Sequence, residues 1–286
     1  MIGQKMLLAQ IDDLIAQNKF PRFSIVVGDR GMEHEDVAAY VSFSMEEADF
    51  IRLADVKVDT IRNMISQAYK LHHTTVFCIP HADDMSINAK NALLKVVEDV
   101  PNKCYFIMCL EDLSNILATI QSRAIVFRMS TPLPSDIQNF ARELYVHKED
   151  IDEEAIAYIG EICRSPGDVC MITKVGAKNL HDYATYVADN IAKVEGAEVF
   201  KFSDKLAIKD EEDKFDVQLF LRALQAYFWH KCVLNISVDD CNIRCHCSIS
   251  RCIGKYMQDL KIKGINKTML LDQMYLEMRK IWKSQT

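Results

Sequence analysis

An α/β domain followed by all-helical segments is the fold class this sequence predicts, on three observations. Up to about residue 130, short apolar runs alternate with helical patterns, the signature of an α/β layer. Pro132 and Pro134 then interrupt the chain, because closely spaced prolines cannot continue a helix or a strand ladder. Beyond them every strong periodic signal is helical.

The apolar runs at residues 24–27, 50–53, 75–79, 104–110 and 124–127 are short and bounded by polar turns. They read as buried strands of a mostly parallel sheet. Helical patterns lie between them at 35–44, 58–71, 87–97 and 113–119. Asp59 is the expected N-cap of the second and Ser86 of the third, since a short side-chain oxygen can accept an orphan N–H of the first turn. Three helices are expected at 135–145, 152–163 and 168–175, the last two parted by Ser165-Pro166-Gly167. Longer amphipathic segments follow, including 217–234 and 266–282. The expected division is residues 1–132, 133–179 and 180–286.

Composition narrows the class. With 286 residues, 49% of them hydrophobic and 26% charged, the chain can bury sizeable cores and is not disordered. No apolar run approaches eighteen residues and no signal peptide opens the chain, so a soluble, cytoplasmic protein without membrane contact is expected. A net charge of −7 argues against an autonomous nucleic-acid binder, though not against DNA contact within an assembly. Ten cysteines without a leader imply free thiols. The cluster Cys232, Cys241, Cys245, His246, Cys247 and Cys252 lacks the spacing of a paired C-x-x-C module, so packed thiols rather than a metal site are expected. No cofactor is expected either.

The chemistry-bearing stretch is the turn after the first apolar run. Gly28-Asp29-Arg30-Gly31 follows a strand and precedes a helix, the layout of a phosphate-binding loop. On that pattern the second glycine position falls on Glu33, the lysine on His34 and the metal-binding hydroxyl on Glu35. Such a loop works by cradling phosphates with N–H groups and neutralising them with lysine. Glu33 and Glu35 would set carboxylates beside a polyanion, so nucleoside triphosphate binding is not expected.

Several segments together resemble one family. Val58-Asp59-Thr60-Ile61-Arg62 is similar to a helix start of bacterial clamp-loader subunits, and residues 88–99, Asn-Ala-Lys-Asn-Ala-Leu-Leu-Lys-Val-Val-Glu-Asp, to their "NALLK" helix. Leu117-Ala118-Thr119-Ile120-Gln121-Ser122-Arg123 resembles their "TIrSRC" segment, with Ala124 in place of Cys. Residues 266–282 are similar to the last helix of the oligomerising collar. The chain thereby resembles the AAA+ clamp loaders of bacterial DNA polymerase III, in particular the delta-prime branch or a divergent or phage-encoded form of it.

That resemblance implies a parallel-sheet AAA+ domain, a small helical lid and a helical collar. It implies a subunit without ATPase activity of its own, counted within a polymerase holoenzyme and acting in DNA replication. Its partners would be gamma/tau-type ATPase subunits, the delta subunit, the sliding clamp and, within the assembly, primer-template DNA. The family's second nucleotide motif, Asp-Glu at a strand end, is replaced here by Pro80 and His81. Gly167-Asp168-Val169 stands where ATPases of the family carry a sensor arginine. The family's cysteine zinc module is absent, since residues 40–50 are too few and hold no cysteine. Ser122-Arg123 matches the motif whose arginine reaches a neighbouring subunit's γ-phosphate, a role suited to a planar, always-charged guanidinium. Lys90, on the helix after Ser86, is the candidate DNA contact. The alternatives are a divergent AAA+ ATPase motor and a stand-alone interaction module with the same fold.

Overall fold

A computed structural model describes residues 1–145, 153–207, 214–234, 240–260, 262 and 264–285. It divides into two compact units: residues 1–140 with 164–167, and residues 141–163 with 168–286.

The first unit is built on strands β1 (Phe23–Val27), β2 (Asp49–Arg52), β3 (Thr75–Ile79), β4 (Cys104–Leu110) and β5 (Ile125–Arg128), with helices α1 (Lys5–Ala16), α2 (His34–Ser44), α3 (Val58–Ala68), α4 (Ile87–Glu98) and α5 (Ala118–Gln121) between them. The strand order is β2-β3-β4-β1-β5, and every pairing is parallel. Because side chains alternate across a strand, each strand supplies two cores. Ile25, Val27, Phe77, Ile79, Phe106 and Met108 face Ile61 and Met64 of α3 and Leu93 and Val96 of α4. Val26, Val76, Cys78, Ile107 and Cys109 face Leu7 and Ile11 of α1 and Val37 and Val41 of α2.

Burial on both faces explains why β1, β3 and β4 read as unbroken apolar runs. The expectation of five buried strands holds only for these three. β2 and β5 lie at the edges with one paired neighbour each, and Asp49, Phe50, Arg52, Ile125 and Arg128 are exposed.

Ser86 caps α4 as expected, accepting the Ala89 N–H at 3.2 Å. Asp59 does not cap α3. Lys57 holds the N-cap position, and Asp55 accepts from the Lys57 N–H at 3.0 Å and the Thr60 hydroxyl at 2.5 Å. The helix expected over 113–119 is instead a 3-10 turn, Leu113–Asn115, followed by the short α5. The chain is extended between them at Ile116 and Leu117, which drops Ile116 into the core.

Helix α6 (Pro134–Tyr145) starts on its proline rather than after it, as does α8 (Pro166–Val175). Proline is pre-organised for the first helical position, where its missing N–H costs nothing. In the second unit, α7 (Glu153–Ile162), α9 (Ala177–Asn190), α10 (Val217–Leu234), α11 (Asp240–Asp259) and α12 (Lys267–Gln285) bury apolar faces on one another. Asp152, expected to open α7, lies outside the described residues. A two-residue parallel pair, β6 (Leu206–Ala207) and β7 (Phe215–Asp216), precedes α10. Tyr275 is fully buried, with its hydroxyl donating to Phe202 O at 3.3 Å, and Tyr183 donates to the same oxygen at 2.8 Å. Among the described residues no helix is long and apolar enough to cross a membrane.

Candidate functional site: a filled phosphate loop and a half-exposed arginine

In an open parallel sheet the strand C-termini, near a change in strand order, are where ligands gather. Here β1 leads into Gly28, β3 into Pro80 and His81, and β4 into Glu111. Four N–H groups of the loop after β1 are taken by carbonyls of the chain itself. The Gly28 N–H donates to Leu110 O, Met32 N–H to Asp29 O, His34 N–H to Met32 O and Asp36 N–H to Glu33 O. The His34 ring turns back, with Nε2 2.9 Å from Gly28 O. A phosphate cradle needs those N–H groups pointing at the anion; four of them point at carbonyls instead.

Gly31 has a left-handed φ of +78°, and its carbonyl accepts the Gly167 N–H at 3.0 Å. A methyl group on Gly31 would meet Ser165 Oγ at 2.5 Å, and one on Gly167 would meet Gly31 Cα at 2.7 Å. The second glycine of the loop therefore serves close contact with the 164–167 segment.

Glu35 is engaged by Arg52 through two N–H groups, one at 3.0 Å, and lies 3.8 Å from His81 Nε2. The Arg52 hydrogen bond holds the Glu35 carboxyl below the usual range, against the opposing pull of burial. Burial moves Glu33 the other way, raising it. Cys78 and Cys109 are in sulfur contact at 3.9 Å beneath α2, and that contact together with burial pushes the Cys109 thiol up. Pro80 is buried and His81 is exposed in a left-handed conformation. In the second unit, Asp168 is buried and accepts a hydrogen bond from Arg222 of α10. The carboxylate at the sensor-like position thus receives an arginine from within the chain.

Arg123, just after α5, is exposed, with 43% of its side chain open to solvent. Its guanidinium donates to Thr119 O at 3.1 Å and pairs with Glu98 Oε1 at 3.2 Å. Ser122 is exposed and donates to Thr119 O at 3.2 Å. Lys90 is placed otherwise than a surface contact would be: it is 9% exposed, and its Nζ donates to Asn115 O at 2.6 Å. Lys95, on the same helix, is exposed and lines an open groove of about 680 Å³ with Arg62, Asn88 and Asn91.

Sequence reasoning did not find Arg52, Glu98 or Asn115, whose roles depend on neighbours distant along the chain. The C-terminal cysteines had a legible signal of another kind. Cys245, Ile249, Cys252, Ile253 and Tyr256 are all buried at helical spacing along α11, so the thiols form part of an apolar seam. Cys232 and Cys247 bring their sulfurs to 3.2 Å. The side chain of Cys241 lies outside the described residues.

A five-stranded parallel sheet of this order, flanked on both faces and followed by helices, with a strand–glycine–helix turn at its centre, is the AAA+ type of fold. In fold it is similar to the Thermotoga maritima RuvB Holliday junction branch migration motor, with a TM-score of 0.50 at 12% identity over 83% of this chain and 77% of that one. Residues 15–132 match the family described as DNA polymerase III, delta subunit. DNA polymerase III subunit gamma of Buchnera aphidicola subsp. Schizaphis graminum is 23% identical over 251 residues, 77% of this chain and 66% of that protein. Subunit delta' of Yersinia pestis is 27% identical over 117 residues, 40% of this chain and 34% of the relative. Subunit delta' of Haemophilus influenzae is 32% identical over 81 residues, 27% of this chain and 25% of the relative. Over its first half the chain is thus similar to DNA polymerase III subunits of the gamma and delta' kinds. It spans less than two thirds of the length of each of these three relatives.

Proposed function

We propose that this chain is a clamp-loader subunit of the delta-prime kind, one that hydrolyses no nucleotide and completes the active site of a neighbouring ATPase. The observation that carries the reading is the loop after β1, four of whose N–H groups, with the His34 ring, are committed to the chain's own carbonyls. Pro80 and His81 at the end of β3 offer no carboxylate to order a metal or a water. Arg123, half open to solvent, would reach the γ-phosphate held by a gamma/tau-type neighbour, with Ser122 beside it. A guanidinium in that place stabilises charge developing on the transferred phosphoryl group.

In this proposal residues 1–132 form the AAA+ domain, 133–179 a lid and 180–286 a collar that joins the other subunits, delta among them. The assembly acts in the cytoplasm and sets the sliding clamp on primed DNA. Lys90 is engaged by Asn115, so DNA contact falls to the exposed polar groups of the groove, Arg62, Asn88, Asn91 and Lys95.

Two measurements test the reading. The isolated chain is titrated with magnesium ATP, and partner ATPase subunits are assayed with clamp and primed DNA in complexes carrying wild type or Arg123→Ala. No ATP binding and a fall of about 10³-fold in hydrolysis, with assembly intact, are expected. ATP binding and turnover by the isolated chain would establish the divergent motor instead. Failure to assemble with the ATPase subunits would leave a stand-alone module.

A further inference from the structure

Lys90 and Glu98 lie on α4 about 12 Å apart along its axis. Both grip the single segment that carries Arg123. At one end the Lys90 ammonium donates to Asn115 O at 2.6 Å. At the other, Glu98 Oε1 stands 3.2 Å from the Arg123 guanidinium. Between these points Gln121 Nε2 donates to Leu113 O at 2.9 Å and Ile116 O at 2.8 Å, while Ile116 and Ile120 are buried in the core. Asn115 is held from its far side as well, its Nδ2 donating to Asp83 Oδ1 at 3.0 Å. Asp83 in turn accepts the N–H groups of Glu111 and Asp112 at 2.7 and 3.1 Å.

Burying an ammonium is costly unless its protons are accepted, so the Asn115 carbonyl is confined to where Lys90 requires it. At the arginine end the hold is lighter, because Glu98 and Arg123 are both open to water. The grip also leaves Arg123 usable. Thr119 O takes one guanidinium N–H and Glu98 pairs with the group by charge, which leaves donors for a forked contact with phosphate oxygens.

We infer that α4 is the splint of the arginine, with Lys90 and Glu98 as positioning residues that fix the 113–123 segment and aim the guanidinium. The inference rests on the reading of Arg123 as a group acting in trans. Its physical content is pre-organisation: a side chain already held loses less freedom when it meets the phosphate, so the benefit falls on turnover rather than on ATP binding.

The test uses complete complexes containing wild type, Lys90→Met, Glu98→Ala, Arg123→Ala or the double variant Glu98→Ala/Arg123→Ala. kcat and KM for ATP are measured with clamp and primed DNA. Glu98→Ala is expected to lower kcat about fivefold and Lys90→Met about tenfold, each with KM for ATP and affinity for primed DNA unchanged. The double variant should match Arg123→Ala, since Glu98 acts only through the arginine. Wild-type kcat in Glu98→Ala beside a large fall in Arg123→Ala would overturn the inference and leave the trans role standing. Weaker, less salt-dependent DNA binding by Lys90→Met with full kcat at saturating DNA would make Lys90 a phosphate contact and also overturn it. A silent Arg123→Ala would remove the trans role and the inference with it. Should Lys90→Met fail to fold, Glu98→Ala decides alone, because its carboxylate is on the surface.

Discussion

Replacing Gly31 with alanine adds one methyl group where two constraints coincide. Its φ of +78° is a conformation that costs an alanine about 1–2 kcal/mol. The new Cβ would also stand 2.5 Å from Ser165 Oγ, and Ser165 is fully buried, so the serine must turn or the backbone must shift. Overpacking of that kind costs about 1–3 kcal/mol. We expect Gly31→Ala to lose about 2–5 kcal/mol in all. Ser165→Ala should relieve the second term and leave the first, giving a favourable coupling of about 1–3 kcal/mol in a double-mutant cycle.

Both tryptophans, Trp229 and Trp282, belong to the other unit, so fluorescence is the wrong reporter here. Urea unfolding followed by far-ultraviolet circular dichroism is suitable, combined with amide exchange of residues 23–27 and 104–110. A loss below about 0.5 kcal/mol, or one that Ser165→Ala leaves unchanged, would refute the account of Gly31 as a close-packing residue.

Three further outcomes follow from the same structure. Glu35 is held below its ordinary value of 4.5 by Arg52, so its contribution is present above that pH and is lost as pH falls through the lower folded value. Glu35→Gln should lower stability at neutral pH and flatten the acid limb below pH 4.5, so that variant and wild type converge in acid, as read by urea midpoints. Burial, and secondarily Lys231, lowers His246 from 6.5, so the neutral ring is favoured in the fold and its contribution fades as pH drops below 6.5. Trp282, whose ring centre is 5.6 Å from that of His246, should report this by fluorescence-detected unfolding, with the slope absent in His246→Leu. Finally, hydrogen peroxide should convert the Cys232 and Cys247 thiols, 3.2 Å apart, to a disulfide with release of two waters. Mass spectrometry should find the loss of two hydrogens in wild type and not in Cys247→Ser.

Local pattern carried much of the fold. The runs at 75–79 and 104–110 are strands over those same residues, and Ser86 caps its helix, because burial on both faces and an orphan N–H leave direct marks in neighbouring residues. The loop's departure from a phosphate-binding pattern was legible in Glu33, His34 and Glu35 for the same reason: that pattern is short and contiguous. The two-part change at Ile116 and Leu117 was not, since it turns on Ile116 entering a core made by α4 and the sheet.

What the sequence by itself determined is most elements of the first unit, the layered α/β class and the residue pattern of the turn after β1, with Glu33, His34 and Glu35 off the phosphate-loop template. Each depends on periodicity or on residues within a few positions of one another. Tertiary structure alone decided which strands became exposed edges, that Gly31 meets Gly167, that Arg52 takes Glu35, and that Lys90 is buried under Asn115 rather than open to solvent. A lysine's charge is the same in either setting. Whether it serves a partner or a loop of its own chain is set by which carbonyl lies within reach once distant segments pack together, and sequence spacing does not encode that distance.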